Sequence, residues 1–453
     1  MKIILAGDGT VGEALLGLLT NESCDITVID KNKERLSHCS DSYDVITVLG
    51  NCAVMEVLMA AGAAEADLLI ATTGSDEINL LTSMTARAIN PDIRVIARIR
   101  DPEYNEQAYR MRNMFGISML FNPEREAARE MLRLIKLPGF LKRDTFAKGR
   151  VEIVEIKVDR TSPLNQTPLS SLHSIVGCRV LVCAVLRDGE SITPGGDFVL
   201  EDGDRIFVTA PTDNLALLLK NLGIVTRKNK RVIIVGGSKT AYYLAEGLLA
   251  AGIHVTIVER DEARCRELSG MLPKAEIISA NAADMSTLEE SGIDGADAIV
   301  TATGSDEFNI VLSLFAAEHG TPQIITKLSE ISDLRVIDKL PIGSVISPER
   351  LICNNIVRYV RAIQNQTGAA AAVHSIADGK TEALEFVADA SLGVLGIPLK
   401  KLRIHKNILI ASITRRGVTE IPCGDSYIEE GDSVLLVCSR EEPILSLSEI
   451  FAE

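Results

Sequence analysis

The chain repeats itself, and the repeat decides most of what it can fold into. The segment KIILAGDGTVGEALLGLLT at residues 2–20 returns as RVIIVGGSKTAYYLAEGLLA at residues 231–250. Gly7 has its counterpart in Gly236, Asp30 in Glu259, Gly74 in Gly304, Asn79 in Asn309 and Glu124 in Glu349. The spacing stays constant to within a few residues, as small loop insertions and deletions allow. A period this long, with a strand and helix pattern inside each unit, implies tandem domains within the 453 residues.

Each copy has two parts. In the first, the apolar runs IILAG, DITVID, DVITVLG, DLLIATT, RVIARI and SMLFN alternate with amphipathic helical stretches. That order specifies a parallel sheet covered by helices on both faces. The second part begins near residue 151 and again near 381, with short alternating strands (VEIVEIKV, RVLVCAVLR, DRIFVTA) and DG or PGG turns. The expected fold is α/β, a tandem duplication of a Rossmann-like parallel-sheet domain followed by a small mixed β/α module. Its expected bounds are 1–140, 150–225, 230–368 and 372–453. DFVLEDGDRIFV recurs as DSYIEEGDSVLLV, and its repeated Gly-Asp pair reads as loop chemistry.

The glycine loop carries the chemistry. Gly7, Asp8, Gly9, Thr10, Val11 and Gly12 follow the first strand and open a helix. Gly7 suits a tight turn, Gly9 lets a pyrophosphate approach the backbone, and Gly12 lets the helix pack closely. The helix N-terminus offers N–H groups and a positive dipole end to phosphates. Asp30 ends the second strand, where a carboxylate takes the ribose hydroxyls and repels a 2′-phosphate, favouring NAD(H) or ATP/ADP over NADP. Lys31 and Arg35 flank that position. Gly50 and Asn51 end the third strand, Thr72, Thr73 and Gly74 end the fourth, and Arg98 lies in the fifth. An Arg there is placed to meet a phosphate. The second copy reads Gly236, Gly237, Ser238, Lys239, Thr240 and Ala241, with Glu259 for Asp30 and Lys327 for Arg98. Ser238 puts a Cβ where the phosphates approach, so a different or weaker ligand preference is expected there. The sequence leaves the occupancy of this second loop open.

Several function classes are excluded or disfavoured. A net charge of −15 opposes nucleic-acid binding, which rests on Lys and Arg, and unaided docking on anionic lipid. No apolar run is long enough to span a bilayer, so a cytoplasmic chain is expected. The nine cysteines contain no CxxC pair and read as buried thiols. None of the seven tyrosines has a Lys four positions on, and no His pairs with another at metal-ligand spacing. No metal site is expected, and Glu124, after Pro123, reads as an acid complementing a helix start. The helix PEREAAREMLRLI presents an apolar stripe at Ala127, Met131 and Leu134, fit for a crossover or dimer helix. Two nucleotide modules without a chemical centre read as a sensor. The alternative is an NAD-dependent oxidoreductase with an unrecognised substrate.

GDGTVG, VID, VLGN, ATTGSDEIN, RIRDPEY and NPE occur in order in the first half, with weaker counterparts in the second. In these motifs the chain resembles the regulator-of-potassium-conductance family over essentially its whole length. The resemblance implies NAD(H) and adenine nucleotides in the cleft lined by Gly7 to Gly12, Asp30, Thr73, Gly74 and Arg98. It further implies a cytosolic homo-oligomer, a tetrameric ring on the inner face of the membrane, gating an integral membrane potassium transporter subunit. Ser238, Ala241 and Lys327 depart from the family's pattern.

Overall fold

The computed structural model describes residues 1–451 apart from 21, 23, 137–139, 141, 148–149, 212–213, 224–228, 330–336, 338–339, 365–369, 371, 378–379, 440–443 and 445. The expected domain junctions fall partly outside the described residues.

The first parallel sheet comprises β1 (Lys2–Ala6), β2 (Asp25–Asp30), β3 (Ile46–Leu49), β4 (Leu68–Ala71), β5 (Arg94–Arg98) and β6 (Met119–Phe121). Between and after them run α1 (Thr10–Leu19), α2 (Lys33–Ser42), α3 (Met55–Ala60), α4 (Asp76–Ile89), α5 (Pro102–Met111) and α6 (Pro123–Lys136). The strand order is β3-β2-β1-β4-β5-β6. Because β1 and β4 are buried on both faces, their sequences read as unbroken apolar runs. The order reverses between β1 and β4, which opens a crevice at their carboxyl ends.

Each module that follows is a five-stranded antiparallel sheet. The first contains β7 (Lys142–Phe146), β8 (Val151–Lys157), β9 (Leu181–Arg187), β10 (Glu190–Ile192) and β11 (Arg205–Pro211), with short helices α7 (Leu172–Val176) and α8 (Leu215–Asn221). Strand β8 starts where the alternation begins. β7 precedes it and escapes a reading by pattern, since KRDTF is short and mostly charged or polar.

The second copy repeats both parts. Its parallel sheet, ordered β14-β13-β12-β15-β16-β17, is built from β12 (Arg231–Val235), β13 (His254–Glu259), β14 (Glu276–Ser279), β15 (Ala298–Thr301), β16 (Gln323–Lys327) and β17 (Ser344–Ile346). Its helices are α9 (Lys239–Ala250), α10 (Glu262–Met271), α11 (Ser286–Glu290), α12 (Asp306–Glu318) and α13 (Pro348–Gln364). The last sheet holds β18 (Ala372–Ile376), β19 (Thr381–Val387), β20 (Ile408–Arg415), β21 (Val418–Glu420) and β22 (Ser433–Cys438).

The chain forms two compact units, Met1–Arg129 with Ser347–Val360, and Glu130–Ile346 with Arg361–Glu453. In the first unit, Ile352, Cys353, Ile356, Val357 and Val360 of α13 join Leu15, Leu16, Leu19 and Leu36 in the core on one face of the sheet. Leu58, Ala86 and Ile93 fill the other face. In the second unit, the end of α6 is clamped by side-chain amides: Asn229 donates to the Ile135 carbonyl (2.9 Å) and Gln323 to that of Leu134 (3.0 Å). The stripe Ala127, Met131 and Leu134 is fully buried, as its spacing indicated.

Also in the second unit, the two antiparallel sheets share one core through Phe146, Ile153, Cys183 and Phe207 of one module and Ile376, Ala383, Leu435 and Val437 of the other. The Ala147 N–H donates to Glu385 Oε2 at 3.0 Å. The recurring Gly-Asp pair divides its work. Gly203 and Gly431 turn the chain at φ +94° and +84°, as loop chemistry requires. The aspartates are buried ion-pair partners, a role the loop reading did not contain. Asp204 is 1% exposed and takes a two-pronged hydrogen bond from Arg187 (2.7 Å each). Asp432 meets Arg415 in the same way (3.0 and 2.8 Å). Among the cysteines all are free thiols, and Cys423 is exposed where burial was expected.

Candidate nucleotide-binding site

The glycine loop leaves β1 and turns at Gly7, whose φ of +105° favours glycine. A Cβ on Gly7 would lie 2.9 Å from the Thr73 nitrogen, so the loop abuts the end of β4. At Gly12 a Cβ would stand 2.1 Å from the Gly7 carbonyl oxygen, so any side chain there forces the loop or the first turn of α1 to shift. Gly9 differs: a Cβ there would find only Arg35 Nη1, at 3.9 Å. It is the N-cap of α1 and supplies no side-chain cap. The first N–H groups of α1 therefore have no side-chain cap at the positive end of the helix. Thr10 is exposed, while Val11 and Gly12 are buried.

Asp30 is fixed by two backbone donors, Asp8 N–H to Oδ2 and Asn32 N–H to Oδ1, both 2.8 Å. Each oxygen keeps a second lone-pair direction for a hydroxyl. Lys31 and Arg35 are exposed beside it, Arg35 in the first turn of α2. Asp8 itself is 7% exposed and its Oδ1 has no hydrogen-bond partner. Burial, with Asp30 adding to it, pushes the Asp8 carboxyl up to about 6.

The structure brings Gly7 to Gly12, Asp30, Thr73, Gly74 and Arg98 to one sheet edge, and gives other predicted residues scaffold roles. Thr72 is buried, its hydroxyl donating to the Gly7 carbonyl at 2.7 Å. Gly50 is held by the Asp30 carbonyl (2.9 Å), and a Cβ on it would meet Val57 at 2.8 Å. Asn51 Oδ1 accepts from the Ala53 N–H (3.2 Å) and turns the chain into α3.

Arg98 ends β5, its side chain 13% exposed. Burial, and Arg100 beside it, lower its proton affinity, while Glu124, Asp76 and Glu349 oppose that. Its Nη1 lies 3.5 Å from the Thr72 carbonyl, its Nη2 3.9 Å from Glu124, and its Nε has no partner. Glu124 Oε1 accepts from Arg100 Nε at 2.6 Å, leaving Oε2 without one. The cap of α6 falls to Asn122, which accepts from the Arg125 N–H at 2.9 Å. Glu124 therefore does more than complement a dipole: it is turned toward two arginines. Among the described residues, no group of three or more His, Cys, Asp or Glu side chains is arranged to hold a metal.

Asn79 and Asp76 were missed by the residue-level reading, although both lie in the repeated TGSDEIN segment. Asn79, fully buried, accepts from the Thr73 N–H (2.9 Å) and hydroxyl (2.7 Å) and donates to the Arg98 carbonyl (2.9 Å). It ties the ends of β4 and β5 together. Asp76 accepts from the N–H groups of Arg100 (3.0 Å) and Asp101 (2.8 Å). Asn309 repeats the first clamp, taking the Thr303 N–H and giving to the Lys327 carbonyl at 2.9 Å each. A polar residue surviving at matching places in both copies was the available signal. We expect Asn79→Ala to strand the Thr73 N–H and cost about 1–3 kcal/mol. Denaturant unfolding of the variant checks this, and a cost near zero would refute it.

The second loop keeps the frame but fills it. Gly236 turns at φ +101°. The Gly237 N–H donates to Glu259 Oε2 (2.5 Å) and the Asp261 N–H to Oε1 (2.8 Å), as at Asp30. A Cβ on Gly237 would meet the longer Glu259 side chain at 3.0 Å, which explains glycine opposite glutamate. Ser238 caps its own helix, its Oγ accepting from the Ala241 N–H at 3.3 Å. Arg264 Nε donates to the Gly237 carbonyl at 2.7 Å. Lys239 is half-buried and Thr240 buried in the first turn.

Comparison with known proteins agrees with this architecture. The TrkA-N domain family matches residues 3–123 and again 232–348, and the TrkA-C domain family matches 153–223 and 383–452. The chain is 32% identical over 457 residues to the Trk system potassium uptake protein TrkA homolog of Archaeoglobus fulgidus, with all of both chains covered. It is 30% identical to the Trk system potassium uptake protein TrkA of Haemophilus influenzae, covering 100% of this chain and 98% of that one. The GsuK channel bound to NAD shares its fold at a TM-score of 0.62 and 19% identity, over 97% of this chain and 77% of that chain.

Proposed function

The chain belongs to the TrkA family, and from that premise we propose that it is a nucleotide-sensing regulatory subunit that gates a Trk-type membrane potassium transporter. The observation that carries the proposal is the contrast at the two helix N-termini. Gly9 leaves its helix uncapped and open, whereas Ser238 caps the equivalent helix from within. Nucleotide therefore binds the first cleft, and the second binds it more weakly. The Thr10 to Gly12 N–H groups hold the diphosphate, Asp30 the ribose hydroxyls, and Arg98 a further phosphate. NAD(H) and ATP or ADP compete for this one place, since both present an adenosine diphosphate.

No helix among the described residues is long and apolar enough to cross a membrane. The chain acts from the cytoplasmic face on its membrane partner, as a homo-oligomer, by binding and not by catalysis. Moving a two-state ring from 1:99 to 99:1 takes about 5.5 kcal/mol of differential binding, or about 1.4 kcal/mol per site over four sites. Arg98 supplies the difference, because a triphosphate carries a terminal charge that NAD lacks. Arg98→Ala is expected to weaken ATP about tenfold or more and NADH much less. Equal weakening in competitive titrations would remove Arg98 from that role.

A further inference from the structure

The buried carboxyl of Asp8 has no part in the scheme above. It sits between Gly7 and Gly9, its own N–H given to Asp30 Oδ2 at 2.8 Å, its Oδ1 buried and without a partner. The groups facing it are Asp30 at the end of β2, Glu13 on α1, and Arg35, His38 and Cys39 on α2. Glu13 is engaged with His38 at 3.8 Å, and Arg35 lies on the Gly9 side of the loop. The second copy has Gly237 here, with no carboxyl to bury.

A buried carboxylate beside a second carboxylate is stabilised by holding a proton. An anionic diphosphate at the adjoining N–H groups adds a third negative charge to the same loop, so its arrival strengthens the hold of Asp8 on that proton. We propose that Asp8 couples nucleotide binding at the first cleft to proton uptake, one solvent proton settling on its carboxyl as the nucleotide binds. The inference rests on the nucleotide reading of that cleft. In the cell it makes the sensor's occupancy depend on cytoplasmic pH, with acidification favouring the bound state. The second loop has no such coupling.

The test is isothermal calorimetry of the full chain with NAD, whose pyrophosphate does not titrate near neutrality. Affinity is measured at pH 5.5, 6.5 and 7.5, and at pH 6.5 in two buffers of different ionisation enthalpy. One-proton linkage weakens binding by up to about tenfold per pH unit. The wild type should lose about tenfold between pH 5.5 and 7.5 and show net proton uptake. Asp8→Asn should bind with affinity constant to within about twofold and take up no proton. His38→Gln, the control for the other switchable group nearby, should keep the dependence. A pH-flat wild type, or a dependence lost in His38→Gln and kept in Asp8→Asn, overturns the proposal while leaving the nucleotide site standing. Absence of NAD binding at every pH overturns both.

A ligand-free readout guards against a poorly folded variant. The Asp8 carboxyl is raised in the folded chain, so its stabilising contribution is complete below about pH 4. It is lost as pH rises through about 6. Asp8→Asn should therefore melt higher than the wild type at pH 7.5 and not at pH 4. A melting difference that does not change with pH contradicts the proposal.

Discussion

Replacing Gly12 with alanine is expected to weaken nucleotide binding about 100-fold while leaving most of the chain folded. The added Cβ would lie 2.1 Å from the Gly7 carbonyl oxygen and 3.5 Å from the Thr72 hydroxyl. Something must move. The Gly7 carbonyl is also the acceptor of the Thr72 hydroxyl at 2.7 Å, so a shift there disturbs the end of β4 as well. Overpacking of this kind costs about 1–3 kcal/mol of stability. The second copy shows that a chain of this design can house an alanine, since Ala241 is fully buried at the equivalent place. It does so in a loop whose helix is capped by its own serine. In the first copy the loop must instead keep its N–H groups aimed at an anion. The larger effect is thus on affinity, a loss of about 100-fold, or roughly 2.7 kcal/mol. Calorimetry with NADH, beside circular dichroism of the variant, reads both quantities. Affinity within about threefold of wild type would show that the close approach at Gly12 is not what shapes the cradle.

The second large effect lies away from the cleft. Asp204→Ala removes a carboxylate that takes both prongs of Arg187 and the Glu201 N–H at 2.9 Å. With Asp204 almost fully buried, breaking the pair should cost the module about 3–5 kcal/mol. The double change Arg187→Ala with Asp204→Ala should cost less than the sum of the singles, because the two side chains share one interaction, although Arg187 Nη1 also meets the half-exposed Glu201 at 3.1 Å. Asp432→Ala should do the same to the last sheet through Arg415. Amide hydrogen exchange separates the modules: protection should fall in β8, β9 and β11 for the first variant, and in β19, β20 and β22 for the second. A cost below about 1 kcal/mol, or additive singles, would mean the pair is merely a surface contact.

What the sequence made legible follows from what leaves a pattern. Parallel strands buried on both faces leave unbroken apolar runs, so IILA, LLIA and RVIIV were readable as strands. Glycines whose backbone must turn or approach left GDGTVG, and Asp30 stood at the end of its strand. The duplication made the second set of elements as legible as the first. Asn79 and Asp76 left only their recurrence in the second copy. From α4 they hydrogen-bond backbone groups at the ends of β4 and β5, and neither periodicity nor propensity encodes that. Thr72 was read as a ligand contact because it sits at the right edge, yet its hydroxyl turns back to Gly7. Asp8 was read with the glycine loop as a nucleotide contact, and only its burial gives its carboxyl a chemistry of its own. The pairing of Asp204 with Arg187 joins residues far apart in sequence, so a local reading reached the turn at Gly203 and stopped there. Likewise, the place of α13 in the core of the first unit depends on tertiary packing, which leaves no local signal.

The central claim is that the first cleft is one site shared by two nucleotides and used for sensing. Calorimetric titration of the full chain with NADH, then with ATP in the presence of saturating NADH, tests it most directly, with Asp30→Ala as the control. The expected result is that each nucleotide binds alone, that NADH lowers the apparent affinity for ATP, that Asp30→Ala abolishes both signals, and that NADH absorbance at 340 nm (roughly the reduced nicotinamide band) does not decline. Binding of both at once without competition, or binding unaffected by Asp30→Ala, would contradict it.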